Sequence, residues 1–289
     1  MTPTRRVHGR RLSSYDFGRT TIYVSRFDPR LSYCAYVPLS YDEDGAERYP
    51  LVVVVHGTLR DATSSRDAFA DFAEAHSCIV LAPLFPAGIT GTSDVSSYKL
   101  MVPCAVRYDL ALLDMIEEIG ARYRLAGPRF SLFGFSGGGH FAHRFLYLHP
   151  GRLHAVSIGA PGIVTLLDRE RDFWVGVRDF AAVWGRPIDI EAMRTVAVQT
   201  VIGADDLDTW EITITPTHPG WRPDWDVAGA NRPERLASLG ASLTRHGIAV
   251  RHDSIPGVSH RWDGLMPAVK DFLGEQLSRL APSPTTPRP

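Results

Sequence analysis

Hydrophobic positions along the chain fall into two alternating kinds of run. Short, largely apolar stretches stand at 51–55, 78–82, 130–135, 153–158 and 196–202, and a more polar one at 248–255. In 51–55 all five residues are Leu or Val. A run with no polar face predicts a strand buried on both sides, as in a parallel sheet. Between these runs the apolar residues return at helical spacing. Residues 62–76 place Ala68, Phe69, Phe72 and Ala73 on one face, and residues 107–125 carry Leu110, Leu113, Met115, Ile116 and Ile119. Residues 141–149, 231–247 and 265–280 follow the same rule. Two further strands, 21–25 and 32–39, open the chain, joined through Asp28-Pro29. Strands alternating with helices predict an α/β fold, with a mostly parallel central sheet and helices on both faces.

The rhythm breaks in four places. Residues 1–20 are polar and read as loosely ordered. Residues 83–103 are a Gly/Ser/Thr-rich loop. Residues 163–195 carry Phe173, Trp174, Phe180 and Trp184 among many charges, and read as a small cap inserted after the sixth predicted strand. Residues 281–289 are Pro/Ser/Thr-rich and read as a disordered tail. The remainder, 21–280, reads as one domain.

Composition narrows the class. Hydrophobic residues make up 44% and charged residues 22% of 289, enough for a core without staples. Lys and Arg number 31 against 32 Asp and Glu, with no long single-sign run, so neither nucleic acid nor a membrane is an expected partner. Cys34, Cys78 and Cys104 are too few for a disulfide framework, and the first two lie in apolar runs as core residues. The paired arginines at 5–6 and 10–11 are not followed by an apolar segment, so no signal is expected and a cytoplasmic location is the default.

The chemistry centres on Gly134-Phe135-Ser136-Gly137-Gly138, set between a predicted strand and a predicted helix. A serine in so tight a turn needs small residues two before and two after it. Its hydroxyl is a weak nucleophile that needs a base, and the base needs an orienting carboxylate. His260 follows the last strand and is the base candidate. His252 lies within that strand, while His140 and His143 lie on the helix behind the serine. Asp206, in Gly203-Ala-Asp-Asp206, is the carboxylate candidate, with Asp205 and Asp208 as rivals. An oxyanion would need waiting donors. The backbone N–H groups of Gly137 and of Thr58, after the strand ending at Val55, are the candidates. His56 is read as shaping that loop. Thr58, Ser136, Pro161, Asp206 and His260 all fall just past predicted strand ends, where such sheets bind ligands.

The order of these parts resembles the α/β-hydrolase fold: His-Gly after an early strand, Gly-Phe-Ser-Gly-Gly on the central one, then acid, then histidine. The resemblance spans about 21–280. Ser136-Gly-Gly-Gly139 with the plain His56-Gly57 is most similar to the branch of polyhydroxybutyrate depolymerase-like and feruloyl esterase-like enzymes. It implies a cofactor-independent serine esterase working through an acyl-enzyme. An oligopeptidase or amidase, an acyltransferase and a non-catalytic binding protein of the same fold stay open as alternatives.

All 6 tryptophans lie after Ser136. Trp174 and Trp184, in the proposed cap, are the substrate-binding candidates, and imply a small or medium ester with an apolar or aromatic group. The charge run 168–172 reads as a solvated face, and there is no metal-ligand pattern or phosphate loop. A small-molecule ester is the expected partner, with a homodimer left open.

Overall fold

The computed structural model describes residues 11–92, 94–101, 106–218 and 220–280. Its apolar runs pair into one sheet. The strands are β1 (Gly18–Arg19), β2 (Tyr23–Val24), β3 (Ser32–Val37), β4 (Leu51–Val55), β5 (Ile79–Leu84), β6 (Phe130–Phe135), β7 (Leu153–Gly159), β8 (Ala197–Gly203) and β9 (Val250–Ile255). Their order is β1-β3-β5-β4-β6-β7-β8-β9, with β2 also on β3. From β5 to β9 every neighbouring pair is parallel, and β3 runs antiparallel to β5.

Alternate residues of β4 point to opposite sides, as the period of a strand requires. Val53 and Val55 join one core with Met115, Ile119, Phe141, Phe145, Leu236 and Leu239. Val52 and Val54 join the other with Phe69, Phe72, Val269, Phe272 and Leu273. Helices Tyr108–Arg122, Gly137–Leu148 and Arg232–Arg245 therefore cover one face, and Ala70–Ala75 and Met266–Leu280 the other. Each side of the central strands is sealed, which is why those runs are mostly apolar.

Some expectations change. The helix foreseen at 62–76 is two, Ala62–Asp67 and Ala70–Ala75. The break falls where Phe69 N–H bonds Arg66 O at 3.1 Å, an i→i+3 closure that tightens the first helix's end. Within 1–20, residues 1–10 lie outside the described residues, but 11–20 are held rather than loose. Leu12, Asp16 and Thr20 are buried, β1 pairs with β3, and Tyr123 donates its hydroxyl to Asp16 O at 2.8 Å. A polar stretch is ordered here because the sheet edge and the end of the Tyr108–Arg122 helix supply its partners. Within 83–103, β5 runs on to Leu84 and a short helix forms at Ser97–Leu100. The segment 163–195 carries two short helices, Phe180–Trp184 and Ile190–Arg194, and its four large aromatics join the main core. The tail 281–289 and Cys104 lie outside the described residues. Among the described residues no helix is long and apolar enough to cross a membrane.

Candidate active site

The direction of chain progression reverses between β4, whose crossover leads to β5, and β6 on its other side. A crevice opens outside the strand ends at such a reversal. Here it is a cavity of ≈ 660 Å³ lined by the ends of β4 and β6 and by loops from four other parts of the chain.

Ser136 stands at the tip of β6 with φ 54° and ψ −113°, a left-handed conformation that strains any residue with a Cβ. Its own N–H is tied to Gly159 O at 2.8 Å. The glycines around it are dictated by contact. A Cβ on Gly134 would lie 2.0 Å from Gly138 O, one on Gly138 2.1 Å from Val55 O, and one on Gly139 2.4 Å from Gly159 O. The helix starts that close to the sheet, and the closeness holds the serine out of the strand plane. Gly138→Ala is expected to cost more than about 4 kcal/mol of folding stability, by forcing this contact apart. A urea-unfolding midpoint equal to the parent's would refute the packing argument.

Ser136 Oγ lies 3.0 Å from His260 Nε2, and His260 Nδ1 lies 2.6 Å from Asp206 Oδ2. A carboxylate only accepts, so Nδ1–H donates to Asp206 and Nε2 is left to accept the serine proton. Phe135 packs against the imidazole with ring centroids 4.8 Å apart. The loops carrying acid and base are bound together, since Asp205 N–H donates to Val258 O at 3.0 Å. Asp205 and Asp208 are exposed, whereas Asp206 is buried. Asp206 Oδ1 accepts from Arg232 at 3.1 Å, and Arg232 also reaches Glu211 at 2.8 Å. Arg232, the first residue of its helix, is as buried as its partner and had no distinguishing mark in the sequence.

Gly137 begins the helix behind the serine, so its N–H has no carbonyl one turn earlier to bond. Thr58 N lies 3.2 Å from where a Gly137 Cβ would be, so both amides border one small space beside Ser136. His56 is buried and its ring bridges two backbone groups. Nδ1 lies 2.8 Å from Gly57 O, and Nε2 accepts from Phe85 N–H at 3.0 Å. Burial holds its pKa down at about 4, so it stays neutral and shapes the loop. His140 accepts from Gly162 and Ile163 N–H and His143 from Thr165 N–H, which pins the loop after β7. Burial also keeps both well below the ordinary histidine pKa.

The two tryptophan candidates part company. Trp174 lines the cavity and donates Nε1–H to Gly220 O at 2.9 Å. Trp184 does not line it. Its ring packs edge-on to Phe173 at 5.8 Å with the Arg107 guanidinium 5.0 Å from its centroid, inside the core. The substrate-binding expectation for Trp184 is thus corrected: its helix turns the indole toward the body. Trp210 and Trp262, not singled out from sequence, line the cavity instead, with Ile163, Ile212 and Ile214. Lys99, from the short Ser97–Leu100 helix, lines it too and donates to Thr58 Oγ1 at 3.1 Å. Among the described residues no cluster of His, Cys, Asp and Glu could hold a metal ion.

Comparison with known proteins gives the fold. No protein-family model matches the chain, and a search of curated proteins finds no match. Solved structures do match over most of its length. Poly(aspartic acid) hydrolase-1 from Sphingomonas sp. KT-1 is 20% identical at a TM-score of 0.67, covering 83% of this chain and 92% of that one. A poly(3-hydroxybutyrate) depolymerase from Bordetella parapertussis is 24% identical at 0.65, covering 87% and 88%. A ferulic acid esterase from Anaeromyces mucronatus is 17% identical at 0.58, covering 90% of each. The chain has the α/β-hydrolase fold, with its sheet order, its strand-turn-helix serine and its crevice in that arrangement.

Proposed function

We propose that the protein is a serine hydrolase that cleaves carboxylic esters through an acyl-enzyme. The continuous contact from Ser136 Oγ through His260 to Asp206 carries this reading. Ser136 Oγ attacks the ester carbon while His260 Nε2 takes its proton. Asp206 holds the imidazole in the required tautomer and offsets the charge it gains. The N–H groups of Gly137 and Thr58 receive the oxyanion. His260 then gives its proton to the leaving alcohol, and a water activated by the same nitrogen releases the acid.

The printed names of the matched structures, a polyester depolymerase and a ferulic acid esterase among them, support ester cleavage. The cavity lining supports a substrate with an apolar or aromatic part, since the buried Trp174, Ile212 and Ile214 and the exposed Trp210 and Trp262 all line it. Such a site needs no bound cofactor for this chemistry.

A fluorophosphonate probe tests the reading. One adduct is expected, on Ser136, with its rate reduced at least about a hundredfold in His260→Ala, because the hydroxyl then loses its base. Mass spectrometry of the intact chain followed by peptide mapping reads both. An adduct elsewhere, or none, would sink the nucleophile assignment. Turnover of p-nitrophenyl esters without turnover of matched anilides separates an esterase from an amidase.

A further inference from the structure

Among the described residues four charged side chains line the cavity: Asp61, Lys99, Glu211 and Arg232. Three have protein work. The Asp61 carboxylate caps the Ala62–Asp67 helix by accepting Ser64 N–H at 3.0 Å. Arg232 is spent on Asp206, and Glu211 on Arg232. Lys99 is different. Among the described residues its Nζ touches only a neutral hydroxyl, Thr58 Oγ1, and no carboxylate lies within ion-pair distance. Thr58 is the residue whose N–H receives the oxyanion in the mechanism above, so the ammonium is held against the side chain of an oxyanion-hole residue. The side chain is partly buried, and the nearby charges are mostly of its own sign: Arg60, Arg144 and Arg232 against Glu211. A partly buried cation held mostly among cations gains most from an anion delivered by a ligand.

We propose that Lys99 makes the cavity selective for esters that carry a free carboxylate near the scissile bond, the ammonium pairing with that carboxylate as Ser136 attacks. This rests on the esterase reading and specifies its substrate class: monoesters of dicarboxylic acids, or esters of hydroxy acids. The apolar lining residues Trp174, Ile212 and Ile214 take the hydrocarbon between the two ends.

Burial lowers the Lys99 pKa to about 8, with Arg60 adding to the effect. The charged form predominates below that value and is lost as pH rises through it. Selectivity for the anionic ester should therefore decline between pH 7 and 9. Asp61, Glu211, His218 and His260 also face the cavity, and a rate ratio between two esters at one pH cancels their common effect on the triad.

The test compares kcat/KM for monomethyl glutarate with that for the methyl ester of glutaric monoamide, of the same shape but neutral. A second pair, 3-acetoxypropanoate and 3-acetoxypropanamide, puts the charge on the alcohol side. The acid is expected to be favoured about tenfold or more in one pair. The ratio should fall to about one in Lys99→Met and return in Lys99→Arg. Calorimetric binding of glutarate to the Ser136→Ala chain reads the contact without turnover, and should weaken about tenfold on adding Lys99→Met. Ratios near one in both pairs with neutral esters turned over, or a preference that survives Lys99→Met, would overturn the proposal. If no ester or probe reacts while glutarate binding keeps its dependence on Lys99, the esterase reading falls and the anion site stands.

Discussion

Replacing Ser136 by alanine is expected to lower kcat for ester hydrolysis by about 10⁶-fold, leaving only what the oxyanion donors and binding supply. Replacing it by glycine should remove activity to the same extent and at the same time raise stability. At φ 54° and ψ −113° a side chain is held in strain of about 1–3 kcal/mol, and glycine relieves it. Opposite signs in the two readouts make the test sharp. Thermal melts beside initial rates would check it. A glycine variant that loses stability would mean that the turn is not strained, and an active alanine variant would mean that Ser136 is not the nucleophile.

The second large effect concerns the carboxylate. Asp206→Ala removes the partner of His260 and leaves the Arg232 guanidinium buried beside an empty place. Activity should fall about 10⁴-fold, because the imidazole loses its orientation and the offset of its charge. Stability should fall as well, by about 3–5 kcal/mol, the cost of a buried charge deprived of its partner. Glu211 is half-exposed and still paired with Arg232, which moves the loss toward the lower figure. Adding Arg232→Met to Asp206→Ala should restore most of the stability and none of the activity. Urea unfolding and p-nitrophenyl ester rates on the two single variants and the double one form the cycle. Recovery of activity in the double variant would place Asp206 outside the chemistry. A single variant as stable as the parent would show that the buried pair contributes nothing.

Arg232 also illustrates which features were legible. Ser136, His260 and Asp206 can be picked out because each stands just past a strand, and a parallel sheet gathers its strand ends on one rim. The glycines at 134, 137 and 138 are legible because the turn leaves room for no Cβ. Arg232 has the local look of any exposed helix N-terminus. Only the loop after β8, folded back across 26 residues of sequence, turns it inward onto Asp206. Lys99 sits in a one-turn helix within a stretch with no sequence periodicity, and nothing near it in sequence marks a cavity. The tryptophans show the same limit. Composition places all of them after Ser136, but whether an indole faces the cavity or the core depends on which way a short helix turns. Trp174 and Trp184 are ten residues apart and both join the main core, but only Trp174 also lines the cavity.

The sequence by itself determined the elements whose physics is local. β4 matches its apolar run at Leu51–Val55, since five residues without a polar side admit only a doubly covered strand. The alternation of strands and helices determined the parallel sheet, and the glycine spacing determined the turn that carries the serine. The tertiary structure decided what depends on distant parts meeting. It chose Asp206 over Asp205 by burying one and exposing the other. It ordered residues 11–20 by giving them a sheet edge, and it paired Arg232 with the acid. It left Lys99 beside Thr58 without a counter-charge among the described residues. Burial and pairing are properties of the assembled chain, because a side chain's partner is set by which loops converge and not by the residues beside it in sequence.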